Sequence, residues 1–268
     1  MNNIYTLIII IILISIYCIV ILNKEGYIDR FLNKHTGEYY FNIESYIISM
    51  DEEKYLRAKH NLEKWTPGIE LKKFDAIRGS EIQNMTDIVT IKGFFDTEIS
   101  KNRRGSHELG SRGAIGCYLS HLMLWTQLAD SDKDGYLIFE SDAVCKENIL
   151  KYIKDMPENC DILLFGSLFS NNDANAEIIG PSKNYTRIKT RFVLMHAYYI
   201  TKKGAKRCKE YAFPIEEQID AYLSDLLYIS LKKDSFIPEL FFYNVNICSQ
   251  RNYYGTTIQT KQIVCENH

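Results

Sequence analysis

The first 22 residues carry no charged side chain, and the run from Ile4 to Leu22 is almost wholly Ile, Leu, Val and Tyr. At about 1.5 Å per residue this run reaches roughly 28 Å as a helix, close to the thickness of a bilayer core. A retained single-span anchor fits better than a cleaved signal. The run is longer than a usual signal core, no basic segment precedes it, and no small-x-small site follows. Residues 23–41 are polar and aromatic and read as a stalk. From residue 42 the pattern changes to short apolar runs that alternate with longer amphipathic ones.

Strands are expected at Ser45–Ser49, Leu71–Ala76, Tyr136–Phe139 and Asp161–Phe165, within the apolar stretch Phe192–Thr201, and at Phe236–Phe242. Helices are expected at Glu52–Trp65 behind an Asp51 cap, and at Ala114–Ala129, Cys145–Asp155, Lys202–Ala212 and Glu216–Leu231. In Ala114–Ala129, Cys117, Leu124 and the pair His121 and Trp125 recur at helical spacing. Alternating strands and helices predict an α/β domain over 42–268, with a mainly parallel sheet and helices on both faces. Ligands then sit beyond the carboxyl ends of the strands, near Asp51, Asp75–Gly79, Glu140–Asp142 and Gly166. The polar stretch 80–111 is long for a connection and reads as a binding loop or lid; its Arg103 and Arg104, with Arg112, are phosphate contacts or a solvated run.

Composition narrows the classes. Apolar residues make up 46% and charged residues 25%, which excludes a disordered chain and a multi-span membrane protein. A net charge of −2 argues against a nucleic-acid partner, which needs a dense basic face. Cys117, Cys145, Cys160, Cys208, Cys248 and Cys265 are widely spaced without a C-x-x-C pair, so spacing indicates neither a zinc site nor a redox motif. Their even number permits disulfides. Two glycosylation sequons begin at Asn84 and Asn184.

The strongest chemical signal is Tyr136-Leu137-Ile138-Phe139-Glu140-Ser141-Asp142-Ala143. A buried strand delivers two carboxylates, at i and i+2, to one side of the sheet rim. Two acids this close repel unless a cation lies between them. A hard divalent ion shared with phosphate oxygens suits the pair; an acidic cap on a helix starting near Cys145 is the competing account.

Several stretches, in order, resemble glycosyltransferase family 25, which includes lipooligosaccharide sugar transferases and collagen galactosyltransferases. Tyr46–Asp51 with Lys54 and Arg57 resembles the opening strand and helix start, and Phe74–Gly79 the family's A-x-D-G turn. Gly113–His121 matches G-x-I-G-C-x-L-S-H closely. Phe139–Ala143 aligns with L-E-D-D, Ala197–Ala205 with A-Y-x-I-T-x-x-G-A, and Pro214 with Asp220–Leu223 with P-x-D-x-x-L. The resemblance implies a GT-A-like, Rossmann-type fold, a nucleotide-sugar donor such as a UDP-sugar, a divalent cation, usually manganese (Mn2+), and inverting transfer of a hexose, galactose first. It implies a glycan, a lipid-linked saccharide or a collagen-like hydroxylysine as acceptor. Asp142 and Glu140 would be metal residues, Glu140 alternatively touching the ribose. Asp51, Asp75, Arg78, Ser120 and His121 would lie around the donor, or serve as caps, turn residues, ion pairs and packing. Asp220 would be the general base, with Glu216 and Glu217 as neighbours; for His196 a core role is favoured. A secretory transferase would make the anchor type II with a luminal catalytic domain, against the weak signal of Lys24, Arg30 and Lys34. The family's central acid is Ser141 here, which motivates a catalytically silent binding or surface module as the alternative. A phosphodiesterase-like metal hydrolase is disfavoured by the single acidic cluster.

Overall fold

The computed structural model describes residues 42–100, 107–169, 177–179 and 185–250. The expected anchor (1–22) and stalk (23–41), Arg103, Arg104, Asn184 and Cys265 lie outside the described residues. Among the described residues no helix is long and apolar enough to cross a membrane.

In chain order the strands are β1 (Ile43–Ser49), β2 (Leu71–Asp75), β3 (Gly135–Glu140), β4 (Ala143–Cys145), β5 (Ile162–Leu164), β6 (Leu168–Phe169), β7 (Glu177–Ile179), β8 (Tyr185–Arg187), β9 (Phe192–Val193), β10 (Ala197–Thr201), β11 (Phe242–Asn244) and β12 (Cys248–Gln250). The helices are α1 (Glu52–Leu62), α2 (Arg112–Asp130), α3 (Ile149–Lys154), α4 (Lys202–Glu210) and α5 (Ile219–Ser230), with short helical turns between residues 79 and 100. Side chains start most of them. The Asp51 carboxylate accepts the Lys54 N–H at 2.7 Å, the Ser111 hydroxyl the Ala114 N–H at 3.3 Å, and the Thr201 hydroxyl the Gly204 N–H at 3.0 Å. Each satisfies an N–H that the first helical turn leaves without a partner.

Eight strands form one sheet in the order β2-β1-β3-β10-β5-β11-β8-β7. β1, β2, β3, β5, β7 and β11 run one way, and β8 and β10 run against them. The sheet is therefore mixed but keeps one dominant direction. Successive residues on a strand face opposite sides. Ile48, Tyr136, Ile138, Tyr198 and Ile200 share a core with Ile115, Trp125 and Leu128 of α2, Ala205 and Cys208 of α4, and Leu223 and Leu227 of α5. Ile47, Leu137, Phe139 and Tyr199 are buried outside that core, and α1, with Ala58 and Leu62 buried, packs against β1.

Three expectations need correction. The segment after Asp142 is not helical at Cys145: it turns back as β4 and pairs with β12, and α3 begins only at Ile149, where the Asn148 side chain accepts the Leu150 N–H at 3.0 Å. Asp142 therefore caps no helix there. The apolar run Phe192–Thr201 is two strands, broken at Leu194, whose φ is 72°. The last large-sheet strand begins at Phe242, where the expected run Phe236–Phe242 ends.

Candidate active site

The site lies at the rim where β1, β2 and β3 end. Register sets Ile48 beside Glu140 and Ser49 beside Asp75. β10 enters the same rim from the opposite direction, so that the Glu140 N–H donates to the His196 carbonyl at 2.8 Å. Because Leu137–Phe139 are completely buried, β3 fixes where its terminal acid emerges.

Glu140 faces His121 of α2. The imidazole is fully buried; its Nε2 stands 3.4 Å from Glu140 Oε1, and its Nδ1 is 2.8 Å from the Tyr198 hydroxyl, which also receives the Trp125 indole N–H at 2.8 Å. The Nε2 contact is of ion-pair length without hydrogen-bond alignment, and Nε2 has no other partner. Burial would raise the Glu140 carboxyl, but His121, with His196 behind it, holds it below its ordinary value.

Asp142 sits past a tight turn. One oxygen accepts the Gln250 amide at 2.8 Å; the other, Oδ1, is buried without a hydrogen-bond partner. Burial first, then the Glu140 charge, pushes this carboxyl from 3.8 up to about 6, against the pull of Gln250 and Lys54. Gln250 is brought there by β12, which the Cys145–Cys248 disulfide joins to β4.

Cys117 precedes His121 by one turn of α2. Its thiol is driven well above its ordinary range by burial and then by the charges of Glu140, Asp220 and Asp142. Carboxylates at the end of β3, in the turn after it and in the first turn of α5 thus all act on one thiol. Asp220 comes from the first turn of α5. Its Oδ2 accepts the Leu194 N–H at 3.1 Å and its Oδ1 the Ala221 N–H at 2.9 Å. The left-handed Leu194 is strained for a bulky residue, and strain of this kind concentrates at functional sites.

Beside Asp220 an open cleft of about 290 Å³ is lined by His107, Leu168, Phe169, Arg191, Phe192 and Val193. Glu217 borders the same segment, since Gln218 donates its N–H to the His107 carbonyl at 3.0 Å. Burial raises the Glu217 carboxyl to about 7, with Asp225, Glu216 and Asp220 adding and Arg191 opposing.

The other expected donor residues form an outer ring. Asp51 is the α1 cap. Asp75 is largely exposed and pairs with Lys73 at 2.8 Å. Arg78 reaches the Met50 carbonyl at 3.3 Å. Ser120 is completely buried; its hydroxyl donates to the Gly116 carbonyl at 2.7 Å and accepts the Ile77 N–H at 2.9 Å, which docks the Asp75–Gly79 turn onto α2. Glu140, Asp142, His121 and Asp220 are brought together, while Asp75 and Arg78 stay at the edge. Sequence reasoning passed over Cys117, Tyr198, Gln250 and the raised carboxyl of Glu217. Only Cys117 left a signal, its four-residue spacing from His121; the others depend on partners far along the chain.

A sequence model described as glycosyltransferase family 25 (LPS biosynthesis protein) matches residues 42–223. A protein of Acanthamoeba polyphaga mimivirus that carries a glycosyltransferase name, R655, is 32% identical over 76 residues, which are 26% of this chain and 24% of that one. The chain thus spans about a quarter of that curated relative. Among solved structures, A197 from STIV covers 77% of this chain and 82% of its own at 12% identity and a TM-score of 0.36. A glycosyltransferase involved in glycosylation of the major capsid of PBCV-1 covers 72% and 67% at 10% identity and a TM-score of 0.32. Mouse xyloside xylosyltransferase 1 covers 77% and 74% at 10% identity and a TM-score of 0.37.

Proposed function

Since the chain belongs to glycosyltransferase family 25, we propose that it moves a hexose, galactose as the first candidate, from a nucleoside-diphosphate donor to an acceptor hydroxyl. The donor would lie over the strand ends on a GT-A-like frame, with its nucleoside toward Asp51, Asp75 and Arg78 and its diphosphate toward Asp142. The observation that carries this reading is the buried, unpartnered Oδ1 of Asp142 beside Glu140 at the rim. An anionic oxygen held there without a donor fits a divalent cation, manganese in the family's usual form, and Asp142 with Glu140 would hold it. Such an ion would supply positive charge against the diphosphate as it departs. Ser141, in place of an acid, adds a hydroxyl but no charge, so the outer pair must suffice.

An inverting transfer needs a base for the acceptor hydroxyl. Asp220 is our assignment. Its two backbone N–H bonds fix its orientation beside the cleft. Glu217 is a second reading favoured by its carboxyl near 7 and its place by the open cleft, where the exposed Leu168 and half-buried Phe169 offer apolar surface to an acceptor sugar. Exchange of Asp220 for Asn is expected to lower kcat by about 10²–10⁴-fold with little change in donor KM. If Glu217→Gln does so instead and removes a rising limb near pH 7, the role passes to Glu217.

The decisive assay measures donor turnover by the full chain across a panel of nucleotide sugars, with and without manganese, beside Asp142→Ala. Turnover that is manganese-dependent and lost in the variant is expected. Unchanged turnover in the variant removes the role given to Asp142. No turnover with any donor favours a silent binding module. We further propose a type II arrangement, anchored by residues 1–22, with the catalytic domain in a lumen.

A further inference from the structure

Sugar transfer does not account for Cys117, nor for the way His121 is held. Cys117 and His121 are four residues apart on α2, which sets them on one helix face; Glu140 arrives from β3. One ligand atom from each of the three lies within 4.8 Å of the others. His121 Nε2 is buried, lacks a hydrogen bond, and stands 3.4 Å from Glu140 Oε1. Nitrogen and oxygen ligands bound tetrahedrally to one zinc ion at ~2.0–2.1 Å lie about 3.3 Å apart. The separation fits two ligands of one ion.

The second nitrogen and the donor set point the same way. Metal-bound imidazoles usually have their second nitrogen fixed by a polar neighbour, and His121 Nδ1 is fixed by the Tyr198 hydroxyl, itself held by Trp125. A thiol, an imidazole and a carboxylate form a borderline set that selects zinc-like ions over manganese or magnesium.

We propose that Cys117, His121 and Glu140 form a three-ligand site for a transition-metal ion of the zinc class, with a fourth position open. This site shares Glu140 with the proposed diphosphate contact but takes no ligand from Asp142, and it does not rest on the transferase reading. The ion would tie α2 to the end of β3 and fix the carboxylate next to the donor. A thiol beside a plain His–Glu ion pair would bind no such metal.

The test uses the full-length chain, stripped with a chelator and titrated with Co2+ as the probe. One equivalent is expected to bind, with thiolate-to-cobalt charge-transfer absorption and the intense visible bands of four-coordinate cobalt, both erased by Zn2+. Cys117→Ser, nearly isosteric, should lose the charge-transfer absorption. Tyr198→Phe should weaken cobalt binding by about tenfold or more. Asp142→Ala should keep the cobalt spectrum even where sugar transfer is lost, so that this site and the transfer reading fail separately. Circular dichroism of each variant checks folding. Absence of a thiolate band in the wild-type chain, or the same band in Cys117→Ser, overturns the proposal.

Discussion

Asp142 combines a cost with a use. Its carboxyl is raised to about 6 by burial and by Glu140. A carboxyl whose folded pKa exceeds its unfolded value binds its proton more tightly when folded. Its contribution to stability is thus fullest below about pH 4 and is lost as pH climbs through 6. Asp142→Asn removes the ionisation, so the variant should be more stable than the wild type at pH 8, by roughly 1–2 kcal/mol, and equal to it near pH 4. The same substitution should reduce transfer by about 10²-fold or more. Denaturant titrations at the two pH values, set beside turnover, check both halves. A residue that weakens the fold while serving the reaction is what a site acid should be. The position of this acid was legible from the apolar run that buries Leu137–Phe139, whereas the partner of its second oxygen, Gln250, was not.

The motif Gly113–His121 shows at the element scale why particular residues are needed. A Cβ on Gly116 would stand 2.3 Å from the Ile77 carbonyl oxygen and 2.9 Å from the Gly79 nitrogen, both backbone atoms that cannot step aside cheaply. Ser120, one turn on, binds the same turn through its hydroxyl. Gly116 and Ser120 thus form the seat on which Asp75–Gly79 docks, and Cys117 and His121 face the site from the same helix. Gly116→Ala should cost about 2–3 kcal/mol and lower the melting temperature by roughly 5 °C or more, measurable by calorimetry. Helical periodicity was enough to place α2. It was not enough for β4, because three residues that find their partner about a hundred positions later carry no period of their own.

The whole molecule is closed at the site by a long-range link. Cys145 and Cys248 are 103 residues apart, and their disulfide holds β12, with Gln250, over Asp142. Loss of a cross-link over so long a loop usually costs about 2–4 kcal/mol. The double substitution of Cys145 and Cys248 by Ser should lower the melting temperature by roughly 5–15 °C. It should also raise the donor KM through the freed Gln250, while reduction of the wild type reproduces both effects. A second prediction at this scale concerns topology: Asn84 is exposed, so a luminal domain made in a eukaryotic host should carry a glycan there, and mass spectrometry would show it. The sequence by itself determined the alternating strands and helices, the rim acids Glu140 and Asp142, the Asp51 cap and the family, because these rest on local periodicity and short contiguous motifs. Only the tertiary structure decided that β10 runs against its neighbours, that the Asp220 charge acts on the Cys117 thiol, and that a disulfide holds β12 and Gln250 against Asp142. Those facts depend on which distant segments pack together, and no local pattern of side chains encodes that choice.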